Sequence, residues 1–219
     1  MLQAREINPK LLPHASIIWL HGLGASGDDF INIVHLLDLP PQLSVRFVFP
    51  HAPLRQVTYS GNAKIRAWFN VVDLKRDSQI DEIGIRESQG LINELIAQEL
   101  AQKNPDYKVV LAGFSQGGVM ALQCGLRYPE RLAGILVLSG WLALEHTVPL
   151  EKASINQQTP ILMLHGTNDE LIPLDWARAG CDYLRKLDYN IRLLSYPMKH
   201  TVCAEEIATI GNWLHDLLL

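Results

Sequence analysis

The chain has 219 residues, of which 48% are hydrophobic and 19% charged, a balance that suits one domain, residues 1–219, with a sizeable core. A formal net charge of −4 leaves no basic face to neutralise phosphates, which argues against a nucleic-acid partner. Three scattered cysteines (Cys124, Cys181, Cys203) speak against a disulfide framework or a zinc ribbon, and no signal-peptide pattern or apolar run of ~18 residues suggests secretion or an integral membrane segment. A reducing cytoplasm is the expected setting.

Taken in order, Ile17-Ile18-Trp19-Leu20 is a short apolar run that reads as a buried strand. It leads into His21-Gly22-Leu23-Gly24 and on to Gly27-Asp28, a loop whose backbone can approach a ligand, before a helix expected over 30–37. The N–H of Leu23 is a candidate donor to a developing negative charge; a plain strand-to-helix turn is the alternative. Residues 45–49 form the next strand, closed by Pro50-His51-Ala52-Pro53. From 54 to 78 the periodicity is lost, and a loop this long in a compact domain implies that it covers a site. Trp68 and Phe69 within it are candidates for an acyl pocket or, equally, for a satellite core.

Apolar residues at helical spacing (Leu91, Ile92, Leu95, Ile96, Leu100) predict a helix over 83–103, ended by Asn104-Pro105. Val109-Val110-Leu111-Ala112 then meets Gly113-Phe114-Ser115-Gln116-Gly117, a G-x-S-x-G between a predicted strand and a helix over 116–128. So sharp a turn strains the serine backbone, exposes its hydroxyl above the sheet, and aims the Gln116 N–H from a helix N-terminus. Further strands are expected at 134–140, 161–165 and 191–196, with helices at 174–187 and 203–219; residues 141–159 suggest a short lid or hairpin. Apolar strands alternating with helices describe an α/β fold, a mostly parallel central sheet with helices on both faces.

An exposed serine needs a base, usually a histidine oriented by a carboxylate. Of the eight histidines, His200 lies on the loop after the last predicted strand, where such groups gather. Asp169 follows strand 161–165 on a short loop, with Glu170 as its substitute. Ser115, Asp169, His200 is the chain order of the α/β-hydrolase arrangement. A metal site built from His165, Asp169 and His200 lacks a recognisable ligand spacing, and no cofactor motif is present.

These residues resemble the phospholipase/carboxylesterase family, which includes bacterial carboxylesterases and acyl-protein thioesterases. His21-Gly22-Leu23-Gly24, Gly113 through Gly118, His165-Gly166 with Asp169, and Met198 with His200 carry the resemblance, which extends through Pro50-His51-Ala52-Pro53 and Trp68-Phe69 over nearly the whole chain. It implies an α/β-hydrolase fold, Ser115, Asp169 and His200 as a triad, Leu23 and Gln116 as oxyanion donors, and esters, thioesters or lysophospholipids as substrates. Pro197 departs from the glycine of many relatives. The oligomeric state is not readable from the sequence, although apolar surface near the pocket could support a homodimer. The rival readings are a non-catalytic α/β-hydrolase used as a binding module and a peptidase.

Overall fold

The computed structural model describes residues 2–75, 79–101 and 106–219. The chain opens with β1 (Ala4–Ile7), β2 (Ala15–Leu20), a one-turn helix α1 (Ile33–Leu36) and β3 (Val45–Pro50). A separate hairpin follows, β4 (Leu54–Val57) and β5 (Ala63–Arg66), and then the long α2 (Glu82–Leu100). Next come β6 (Lys108–Phe114), α3 (Gln116–Gly125), β7 (Gly134–Leu138) and the short α4 (Val148–Glu151). The chain closes with β8 (Ile161–Gly166), α5 (Leu174–Lys186), β9 (Ile191–Tyr196) and α6 (Ala204–Leu218).

Seven strands join in the order β1-β3-β2-β6-β7-β8-β9. All neighbours are parallel except β1, which pairs antiparallel with β3 at the edge. The apolar runs follow from this arrangement, because helices cover both faces and neither may be polar. Along β2, Ile17 and Trp19 enter one apolar layer while Ile18 and Leu20 enter the other. The first layer also holds Ile210 and Leu214 of α6; the second holds Ile92 and Ile96 of α2 and most of the buried side of α3.

The sheet reverses its winding between β2 and β6: β2 is followed in sequence by its neighbour on one side, and β6 by its neighbour on the other. Such a switch point leaves a crevice outside the carboxyl ends of the two strands, where ligands bind in open α/β sheets.

Several local expectations change. The region 30–37 holds no continuous helix. A 3₁₀ turn at Gly27–Phe30, capped by Ser26 and Asp29, precedes the four-residue α1. Most of 54–66 is the β4–β5 hairpin, turning through left-handed Gly61 and Asn62. Residues 141–159 form neither hairpin nor sheet but short helical turns. Arg127 holds them through Glu151 at 2.7 Å and Thr147 at 2.7 Å. The helix stop expected at Asn104-Pro105 lies outside the described residues.

Candidate active site

Ser115 joins β6 directly to α3, with φ 55° and ψ −119°. This is the left-handed region that side chains avoid, and the surroundings enforce it: the Ser115 N–H donates to Leu138 O at 2.8 Å and its carbonyl accepts from the Val119 N–H at 3.1 Å. Glycine is required on both sides. A Cβ at Gly113 would lie 2.2 Å from the Gly117 carbonyl oxygen, and one at Gly117 would lie 2.1 Å from Leu20 O.

His200 arrives on the loop after β9. Its Nε2 is 2.9 Å from Ser115 Oγ and its Nδ1 2.7 Å from Asp169 Oδ2. A carboxylate only accepts, so Nδ1 carries the proton and Nε2 is left to accept from the hydroxyl. The Asp169 side chain is fully buried, and its Oδ1 takes the N–H groups of Leu171 (3.0 Å) and Ile172 (2.9 Å). Those bonds aim Oδ2 at the imidazole. The two loops are joined by Thr167 N–H to Tyr196 O (2.8 Å) and Asn168 N–H to Met198 O (3.0 Å). Gly166 permits the approach, since a Cβ there would meet Met198 O at 2.3 Å. Pro197 leaves the join intact. The structure therefore brings Ser115, Asp169 and His200 into one hydrogen-bonded chain.

Leu23 lies in the loop after β2, next to Gly22, whose added Cβ would meet the Ser115 Cβ at 3.4 Å, and Gln116 opens α3 directly after Ser115. Among the described residues no protein acceptor takes the Leu23 N–H, and the Gln116 N–H lies in the first turn of α3, where amides lack helical partners. The Gln116 side chain, which the sequence left unassigned, has a second task. Its Oε1 accepts from the Trp68 N–H and its Nε2 donates to Phe69 O, both at 2.7 Å.

That clamp separates the two aromatic candidates. Trp68 is fully buried with its indole N–H on His21 O at 2.9 Å, so it belongs to the core. Phe69 lines a cavity of about 370 Å³ that is apolar at Trp141, Leu142, Leu144 and Trp176 and polar at Asp73, Lys75, Glu82, Glu145 and His146. Edge-on contacts from Phe69 to Trp141 (6.5 Å) and from Trp141 to Trp176 (5.8 Å) build its wall. Trp141 lies in the stretch without clear periodicity, and Trp176 lies in the helix expected over 174–187, where nothing in the pattern marks it as lining a cavity.

Two buried histidines also lie at strand ends. His21 contacts Gly22 O through Nδ1 at 2.7 Å and takes the Ala52 N–H on Nε2 at 2.9 Å; burial lowers its pKa. His165 places Nε2 2.7 Å from Ile172 O, and burial lowers its pKa as well. With Nε2 so engaged, His165 is not disposed to hold a metal with Asp169 and His200, and among the described residues no cluster suited to a metal ion occurs. Among them, too, no helix is long and apolar enough to cross a membrane.

The family described as Phospholipase/Carboxylesterase matches residues 3–218. The chain belongs to that family. It is 33% identical over 213 residues to an acyl-protein thioesterase 1 of Neurospora crassa, covering 93% of this chain and 87% of that protein. It is 32% identical over 201 residues to the carboxylesterase SOBER1 of Arabidopsis thaliana, covering 90% and 88%. The crystal structure of SOBER1 superposes with a TM-score of 0.88 over 94% of this chain and 99% of that one, at 32% identity. That of acyl-protein thioesterase 2 from Zea mays gives 0.89 over the whole of both chains at 28% identity. The fold is the α/β-hydrolase fold, and membership of the Phospholipase/Carboxylesterase family makes this chain a hydrolase of the esterase class.

Proposed function

We propose that the chain is a single-domain serine esterase in which Ser115 forms an acyl-enzyme, Asp169 and His200 complete the triad, and the N–H groups of Leu23 and Gln116 receive the oxyanion. Ser115 Oγ attacks the carbonyl carbon of an ester or thioester while His200 Nε2 takes the hydroxyl proton. Asp169 stabilises the imidazolium across the Nδ1–H bond. The tetrahedral intermediate collapses, its alcohol or thiol leaves with the proton from Nε2, and the acyl group stays on Ser115. Water then attacks with His200 again as base, releasing the acid and restoring the hydroxyl. Every proton and electron pair is handled by the chain, the substrate and water.

The observation that carries this reading is the unbroken line from Ser115 Oγ through His200 to buried Asp169, at 2.9 and 2.7 Å. Labelling by a fluorophosphonate probe tests it. Wild type is expected to be labelled at Ser115, and labelling of Ser115→Ala protein would reject the assignment.

The aromatic side of the cavity beside Phe69 suits the acyl part of the substrate, and the names of the relatives favour acyl thioesters and carboxylic esters. kcat/KM across an ester chain-length series, repeated with matched thioesters, reads both preferences, because each added methylene that finds apolar wall contributes about 1–3 kcal/mol. The reading includes a reducing compartment, to which three free cysteines are suited.

A further inference from the structure

The peptide unit joining Gly22 to Leu23 carries a hydrogen-bonded carbonyl at one end and the proposed oxyanion donor at the other. A trans peptide is planar, so its C=O and N–H point in opposite directions and turn together. Whatever holds the Gly22 oxygen therefore aims the Leu23 N–H. That oxygen lies 2.7 Å from His21 Nδ1, with the Ala25 N–H at 3.3 Å as a weaker second donor.

The direction of the His21 bond is forced from the far side of the ring. The Ala52 N–H points at Nε2 from 2.9 Å, and a backbone amide can only donate. Nε2 must accept, so the single ring proton sits on Nδ1 and is given to Gly22 O. The imidazole is 1% exposed, and its burial favours the neutral form that this pattern needs. The flanks are fixed too. The Trp68 indole N–H holds His21 O at 2.9 Å, the two rings pack with centroids 5.4 Å apart, and the Gly24 N–H donates to Arg66 O at 2.8 Å. Beyond this loop the Gly27 N–H donates to His51 Nδ1 at 3.1 Å.

We propose that His21 is a positioning residue for ester hydrolysis: its neutral imidazole pins the Gly22 carbonyl and thereby aims the Leu23 N–H at the oxyanion. This rests on the roles assigned above to Ser115 and Leu23. The ring touches no substrate. It acts through one peptide plane, and by bonding the carbonyl it also polarises the amide, which makes the N–H a stronger donor. Because the charge on the substrate oxygen develops in the transition state, the effect belongs to kcat rather than to KM.

Two substitutions divide the functions of the ring. His21→Asn puts a side-chain N–H where Nδ1 stood, keeping the donor to Gly22 O and losing the link to Ala52. His21→Gln puts an oxygen near the Nε2 position, keeping Ala52 and releasing Gly22 O. With a short 4-nitrophenyl ester, His21→Gln is expected to lose about 10–100-fold in kcat with KM within about twofold, and to bind a boronic acid that forms a tetrahedral adduct more weakly by a similar factor. His21→Asn is expected to keep kcat within about fivefold, an order-of-magnitude margin for a retained donor of changed geometry. Wild-type turnover in folded His21→Gln, or equal losses in both variants, would overturn the proposal. Should His21→Gln fail to melt cooperatively, His21→Asn decides alone: near-native turnover supports the role, and a loss beyond roughly 30-fold rejects it. Wild type and Ser115→Ala run alongside. A wild type that does not hydrolyse the ester sinks the assignment of Ser115, whereas an active wild type with an indifferent His21→Gln sinks only the role of His21.

Discussion

The chain carries the same dipeptide at the carboxyl ends of two parallel strands, His21-Gly22 after β2 and His165-Gly166 in β8. Both rings are buried, and burial lowers the pKa of each. Yet the rings do different jobs. His21 engages both nitrogens and holds the peptide beside Ser115. His165 uses Nε2, which lies 2.7 Å from Ile172 O and 3.5 Å from Asp169 Oδ2, and among the described residues its Nδ1 has no partner. Ile172 also supplies an N–H to Asp169 Oδ1, so the ring anchors the loop that presents the acid. A strand-end histidine is defined by the peptide it holds: on one flank of Ser115 it fixes the Gly22–Leu23 peptide, and on the other it anchors the loop that carries the Asp169 carboxylate.

Ser115 and Asp169, on which the two flanks converge through His200, should show the largest effects. Ser115→Ala should lower kcat by roughly 10⁶-fold, and Asp169→Asn, which permits the wrong histidine tautomer, by about 10⁴-fold, both read in single-turnover ester hydrolysis. The comparison sharpens with His165→Leu. Leaving the buried Ile172 carbonyl unpaired should cost about 1–3 kcal/mol, or about 2–4 °C of melting temperature for each kcal/mol in a chain of this size. His21→Gln should instead act mainly on turnover. If His165→Leu lowered kcat at unchanged stability while His21→Gln only lowered the melting temperature, the contrast between the flanks would be reversed.

Away from the site, two carboxyl groups should set opposite pH limits on stability. Burial raises Glu206 in α6 to about 8 from 4.5, so its contribution is full below about 4.5 and lost as pH rises through about 8. Glu206→Gln should therefore gain stability relative to wild type as pH rises, by about 1–3 kcal/mol at the alkaline end, measured by melts at pH 5 and pH 8.5. For Glu151, burial alone would raise the pKa, but hydrogen bonds from Arg86, Arg127 and Thr147 prevail and hold it at about 2. Its contribution is present above about 4.5 and lost as pH falls toward 2. Glu151→Gln should flatten that acid limb by about 1 kcal/mol, and an unchanged acid melt would mean that the Arg127–Glu151 contact does not hold the 145–151 turns.

The meeting of Ser115, Asp169 and His200 was legible in the sequence because parallel strands collect their carboxyl ends in one place. Finding the strands that end before Ser115, Asp169 and His200 was enough to predict their meeting. The glycines at 113 and 117 were legible for a related reason, since backbone crowding at the turn excludes every other residue. Trp68 and Phe69 could not be separated, because what sorts them is the Gln116 side chain reaching across from another element. β1 was invisible: four residues of half-exposed edge strand carry little apolar signal. The 141–159 turns are held by Arg127 from a distant position, a constraint no local pattern records.

The proposed mechanism passes through a covalent acyl group on Ser115, which rapid acid quenching followed by peptide mass spectrometry would capture. Mixed with an activated ester for milliseconds, the wild-type chain should yield a Ser115-containing peptide heavier by one acyl group, with no such adduct in Ser115→Ala. Undiminished ester hydrolysis by Ser115→Ala, or an acyl group trapped on a different residue of the wild type, would rule out Ser115 as the acylated residue.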